Sequence, residues 1–170
     1  MHARARALKL ALTFIHSLSD VYSAEKQLTR ALPKMARASH NANLRAAFET
    51  HLEETRGQVE RIDQVVESCG IKLKRIKCVA MEGLVEEGQE QIEDFEEGPI
   101  RDAALIGAAQ KVEHYEIATY GTLATLAAQL GFADASKLLL ETLAEEKSTD
   151  DKLTQLAKLE VSKEAQAASA

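Results

Sequence analysis

The sequence predicts an all-α protein: an up-down four-helix bundle of two antiparallel hairpins joined by one long crossover carrying a short extra helix. Three observations predict it. The 170-residue chain has only two prolines and eight glycines, so little interrupts long helices. Four long stretches repeat apolar residues at alternating steps of three and four, the period of a bundle-facing seam. The breaks between them fall in two short turns separated by about thirty residues, which makes two hairpins and a crossover.

The first helix is expected from about residue 5 to Ser39, with Pro33 kinking it near its end. It breaks at His40-Asn41-Ala42-Asn43, where Asn43 suits the N-cap of the second helix. That helix runs to Cys69 and stops at Gly70, a helix-ending glycine. The basic stretch Lys72, Lys74, Arg75, Lys77 reads as a solvated loop, since no aromatics interleave with it. A short helix covers Val79 to about Glu97, its glutamate run forming a solvated face. Gly98-Pro99 then opens the fourth helix, proline being tolerated at the first helical position. The fourth helix reaches Leu130, and Asp134 is expected to cap a fifth that continues to about Leu159. Residues 1–160 thus form one helical domain and 161–170 a flexible tail. Short turns within each pair and one long crossover between pairs are the connectivity of ferritin-like bundles.

The formal charge of −6 argues against a general nucleic-acid binder, which needs a basic surface to neutralise phosphates. No stretch approaches the roughly 20 apolar residues of a membrane span, and charges soon follow the basic start, so no secretion signal is read. A soluble, cytoplasmic protein is expected. Cys69 and Cys78 form no disulfide framework and read as packing at helix ends.

Each apolar seam is broken at its middle by a carboxylate. The first reads Phe14, Leu18, Val21, Glu25, Leu28, Leu32, Met35, and the fourth Leu105, Ala109, Val112, Glu116, Thr119, Leu123, Leu126, Leu130. The second reads Leu44, Ala47 or Phe48, His51, Glu54, Gln58, Ile62, Val65, and the fifth Ala135, Leu138, Thr142, Glu145, Thr149, Leu153, Leu156. Glu25 and Glu54 lie sixteen residues before and thirteen after Asn41, which puts them within about one helical turn in height. Glu116 and Glu145 bracket Phe132 in the same way. An internal repeat underlies this: sliding the chain by 91 residues superposes 14–66 on 105–157 without a gap, matching Glu25 to Glu116 and Glu54 to Glu145.

Four carboxylates at one level of a core repel one another and must be protonated, paired or neutralised by cations. No Lys or Arg stands on the seams at that level. Two divalent cations would neutralise all four, and Glu with His suits iron or manganese, with zinc a further option. A proton-sharing polar layer, or a different facing of the helices, is the alternative.

The segments Asp20-x-Tyr22-x-x-Glu25-Lys26-Gln27, His51-Leu52-x-Glu54-Thr55, Glu113-His114-x-Glu116-Ile117 and Glu145-Glu146-Lys147 resemble the YciE/YciF family of ferritin-like proteins, over about residues 8–158. The resemblance implies a ferritin-like fold, a dinuclear metal centre, a homodimer and a link to bacterial stress responses. It supplies no settled reaction. One departure stands out: ferritin-like sites use Glu-x-x-His on two helices, whereas Gly57 and Ser148 follow Glu54 and Glu145 at that spacing. His51 stands three before Glu54 instead, and Glu113 one turn before Glu116. The expected ligands are therefore Glu25, His51, Glu54, Glu113, Glu116 and Glu145, with His51 completing one metal position and Glu113 the other.

His114 reads as a surface residue or a support to the ligands, His16 and Asp20 as a polar helix face. Tyr22 and Tyr120 are either partners of ligands or ordinary half-buried tyrosines. Two functions remain: a di-iron or di-manganese protein handling oxygen, peroxide or ferrous iron, or a non-catalytic stress protein with metal as a staple. In the second, the crossover helix (Val79, Met81, Leu84, Val85, Ile92, Phe95) supplies a contact face. With no further packing helix after the fifth, a dimer or small oligomer is expected rather than a storage shell.

Overall fold

A computed structural model of the chain describes residues 2–168. Five long helices follow one another: α1 His2–Ala38, α2 Ala42–Cys69, α3 Val79–Asp94, α4 Pro99–Gln129 and α5 Ala133–Leu156. A π-helical turn, Ala157–Val161, leads into a short α6, Ser162–Ala168. α1 packs on α2 and α4 on α5 as antiparallel hairpins, and the hairpins meet through α2 against α5 and α1 against α4. α3 covers the α1–α4 face, and among the described residues it makes no such contact with α2 or α5.

Local chemistry sets the boundaries. The side chain of Asn41, rather than of Asn43, caps α2 by accepting from the backbone N–H groups of Asn43 (2.9 Å) and Leu44 (3.1 Å). The Asn43 amide is engaged elsewhere, on the carboxylate of Glu160. Gly70 (φ 62°) and Gly131 (φ 82°) adopt the left-handed conformation that turns the chain out of α2 and α4. Phe132, not Asp134, occupies the cap position of α5, and it makes no side-chain capping bond. Pro33 lies inside α1 without ending it. Fully buried Asp102 accepts from the backbone N–H of His40 (2.8 Å) and Asn41 (2.6 Å), which ties the first hairpin turn to the start of α4.

The basic segment runs extended along α1. Its side chains alternate, with Lys72, Lys74, Arg75 and Lys77 exposed and Ile71, Leu73 and Ile76 half-buried. Polar residues on successive turns of α1 hold it: Ser19 Oγ accepts from Lys74 N, Ser23 Oγ accepts from Cys78 N, and Gln27 donates to Cys78 O. The expected flexible tail is helical as far as Ala168, with Val161 fully buried in the core, while Met1, Ser169 and Ala170 lie outside the described residues.

Two apolar clusters fill the bundle. One gathers Leu28, Leu32, Leu44, Phe48, Leu105 and Leu153, the other Phe14, Leu18, Ile62, Val65, Leu123 and Leu139. On α1, α2, α4 and α5 the two clusters are separated by the same polar level.

Candidate metal centre

That level is built from one or two turns of each helix. α1 contributes Glu25, α2 His51, Thr55 and Gln58, α4 Glu113 and Glu116, and α5 Thr142, Glu146 and Thr149, all of them buried. The apolar residues on either side hold these groups away from bulk water.

Donor atoms of His51, Glu113, Glu116 and Glu146 all lie within 4.8 Å of one another. His51 Nε2 is 3.2 Å from Glu113 Oε1, and Nδ1 is 3.5 Å from Glu54 Oε2. Those are ion-pair spacings, yet neither nitrogen makes an aligned hydrogen bond. Tyr120 of α4 donates a hydrogen bond to Glu25 Oε1. The Gln58 amide donates to Glu146 Oε1 and, at 3.1 Å, to Glu145 Oε2.

Burial dominates the electrostatics. It drives the Glu25 carboxyl up to about 7, against the lowering effects of the Tyr120 hydrogen bond and of His51. Burial also pushes Glu116 well above the usual carboxylate range, with repulsion from Glu25 and Glu146 added, and does the same to Glu146, with repulsion from Glu113. For His51 burial disfavours the charged ring, but the attraction of Glu113, with Glu54 behind it, wins and holds the imidazole well above its ordinary value.

These residues fit bound metal. Four buried carboxyls, those of Glu25, Glu113, Glu116 and Glu146, face a single buried imidazole, which balances one negative charge at most. Oε2 of Glu25, of Glu113 and of Glu146, and both oxygens of Glu116, have no donor among the described residues. A buried acceptor left unmade is costly, and native structures seldom leave several together. Carboxylate oxygens with one imidazole nitrogen are the donors that iron and manganese take, and zinc accepts them as well.

Of the residues expected from sequence, Glu25, His51, Glu113 and Glu116 lie inside this level. Glu54 stands at its edge, 28% exposed, near Thr149 Oγ1 (3.3 Å) and Lys152 Nζ (3.6 Å). Glu145 lies outside: Arg61 grips both of its oxygens at 2.7 Å each. The inward carboxylate of α5 is Glu146, which the sequence reading missed. The two candidates are adjacent, and the true seam runs Ala135, Leu139, Thr142, Glu146, Thr149, Leu153. It is one residue out of phase with the expected seam at two positions, as α2 is where Thr55 replaces Glu54. α4 shifts similarly, burying Tyr120 and Ala127 in place of Thr119 and Leu126. His51 and Glu113, expected at different metal positions, lie 3.2 Å apart.

The neighbouring expectations also resolve. Tyr120 is the partner of a candidate ligand, whereas half-buried Tyr22 lies under the Lys26 ammonium. His114 is 70% exposed, beside Asp150. Asp20 accepts from Tyr115 Oη at 2.7 Å, and Cys78 Sγ lies 3.1 Å from the same hydroxyl while its sulfur caps α3.

A family model described as a domain of unknown function (DUF892) matches residues 9–166. The chain belongs to this family. Protein YciF of Escherichia coli is 69% identical over 154 residues, covering 90% of this chain and 93% of YciF. The crystal structure of the E. coli stress protein YciF matches with a TM-score of 0.85, covering 87% of this chain and 94% of that one. YcfI from Rhodopseudomonas palustris, 42% identical, matches with a TM-score of 0.82 over 85% of this chain and 92% of its own. A Xanthomonas campestris protein at 20% identity shares the fold, with a TM-score of 0.72 over 95% and 99% of the two chains. The resemblance to the YciE/YciF family and the all-helical bundle are both thereby shown.

In this DUF892 chain the polar level is reached from outside by a groove of about 430 Å³ between α2 and α5. Phe48, Leu153 and Leu156 line it together with half-buried Glu54 and the buried His51 and Glu113. Among the described residues no helix is long and apolar enough to cross a membrane.

Proposed function

We propose that this chain is a dinuclear metal-binding protein that holds two iron or manganese ions in its buried level and handles dioxygen, peroxide or ferrous iron under stress. The observation that supports this reading is the set of buried carboxyl oxygens without donors around one buried imidazole. In this reading Glu25, His51, Glu113, Glu116 and Glu146 hold the ions, and Glu54 adjoins them. Bound iron or manganese supplies the redox chemistry and a place for a small oxidant to bind. Tyr120 orients Glu25, Gln58 orients Glu146, and the apolar clusters above and below exclude water. The stress role rests on the E. coli stress protein YciF, and we read the chain as a cytoplasmic homodimer that binds neither nucleic acid nor membrane.

The test is whether the metal-loaded protein consumes peroxide or oxidises ferrous iron faster than the same concentration of free metal. Faster turnover is the expected result. Background turnover with metal firmly bound would make the metal a staple and shift attention to α3 and the residue that follows it, where Val79 is 75% and Phe95 38% exposed.

A further inference from the structure

We propose that divalent cations reach the buried level through the α2–α5 groove, with Glu54 as their first protein ligand and Lys152 as the counter-ion they displace. This rests on the metal-binding reading above. The internal repeat places Glu54 over Glu145 and Arg61 over Lys152 at the offset of 91 residues. The structure turns that correspondence into two equivalent clamps between α2 and α5, Arg61 on Glu145 and Lys152 on Glu54.

The clamps differ in strength. Arg61 holds both oxygens of Glu145 at 2.7 Å, bonds Thr142 Oγ1 at 2.7 Å, and shares Glu145 with Gln58. A bidentate guanidinium of this kind is a firm closure. Lys152 makes one 3.6 Å contact with Glu54 and is 51% exposed, a point charge on a flexible stem. The groove opens only beside the weak clamp: Glu54, Thr149 and Lys152 line it, whereas Arg61 and Glu145 do not. Behind Glu54 stands His51, 3% exposed, lining the same groove with both ring nitrogens free of hydrogen bonds. An incoming cation thus meets a carboxylate that can exchange Lys152 for it, then a buried imidazole and Glu113. The opposite, α1–α4 face is covered by α3.

Anaerobic stopped-flow uptake of Co²⁺ by the metal-free full chain, read by its visible absorption, tests the route, with metal per chain measured at equilibrium. Lys152→Gln removes the competitor and is expected to speed uptake about threefold, whereas Lys152→Arg copies the firm clamp and slows it about threefold. Ala47→Phe narrows the groove wall without changing charge and slows uptake by about tenfold. Arg61→Lys leaves the rate unchanged, and all four variants reach the wild-type metal content. Circular dichroism confirms that each variant is folded, and the two Lys152 changes, on a half-exposed side chain, suffice on their own. Equal rates in both Lys152 variants at wild-type content would overturn this route while leaving the metal reading intact. Failure of the wild type itself to bind stoichiometric Co²⁺ would overturn both.

Discussion

The phenol of Tyr120 donates to one oxygen of Glu25 and leaves the other oxygen of that fully buried carboxyl without a partner. Tyr120→Phe removes the only donor that Glu25 has among the described residues. Because the bond lowers the Glu25 pKa, its loss sends that pKa further above about 7. The metal-free variant should lose about 1–3 kcal/mol of stability, the cost of a stranded buried acceptor, measured by urea unfolding. An unchanged midpoint would mean that the hydrogen bond is replaced by water.

The metal-free protein should become less stable as pH rises from about 4.5 through 7. Glu25 titrates near 7 in the folded chain, against an ordinary value of 4.5, and Glu116 and Glu146 are shifted the same way. A raised folded pKa gives stability that is complete below the unfolded value and is lost as pH climbs through the folded one. His51, raised by Glu113, has the same sign, whereas Glu54, held down chiefly by its contact with His51, acts oppositely only at lower pH. Bound metal reverses the trend, since its ligands must be deprotonated. Thermal unfolding with and without metal, across pH 5 to about 8, should give slopes of opposite sign.

Glu116→Gln keeps the shape of the most isolated carboxyl and removes its charge. Both Glu116 oxygens lack donors, and Glu25 and Glu146 repel it. The metal-free variant should melt a few degrees higher than wild type, about 2–4 °C for each kcal/mol relieved, and should bind less metal. Gains in stability coupled to loss of metal are the mark of a functional cluster. A variant that melts lower would assign Glu116 a structural partner.

Glu146→Ala should abolish most metal binding, whereas Glu145→Ala should leave metal content near wild type. The second change strands Arg61, so its effect belongs to stability, about 1–2 kcal/mol for a partly buried bidentate pair. Metal content of the two purified variants separates these roles.

That pair also shows what the sequence could and could not say. The seam of α1 is isolated enough on its helix that every expected position, Phe14 to Met35 with Glu25 between, is buried. In α5 the runs Leu138-Leu139-Leu140 and Glu145-Glu146 leave two equally good phases, and only packing against α2 and α4 selects Glu146. The repeat was legible, and it matched Glu54 with Glu145 correctly as equivalents. What it could not reveal is that both face their Arg61 and Lys152 partners while Thr55 and Glu146 face inward. Asn43, the expected cap of α2, is instead held by Glu160 on the π-helical turn, and its neighbour Asn41 caps the helix.

Metal per chain is the most direct measure of the central claim. Protein purified from cells supplied with ample iron and manganese, analysed beside a Glu25→Ala plus Glu116→Ala double variant, should carry about two ions per chain, with the variant nearly empty. Wild-type protein that stays folded and holds no stoichiometric metal, even after reconstitution, would contradict the account and leave the buried level as a proton-sharing polar layer.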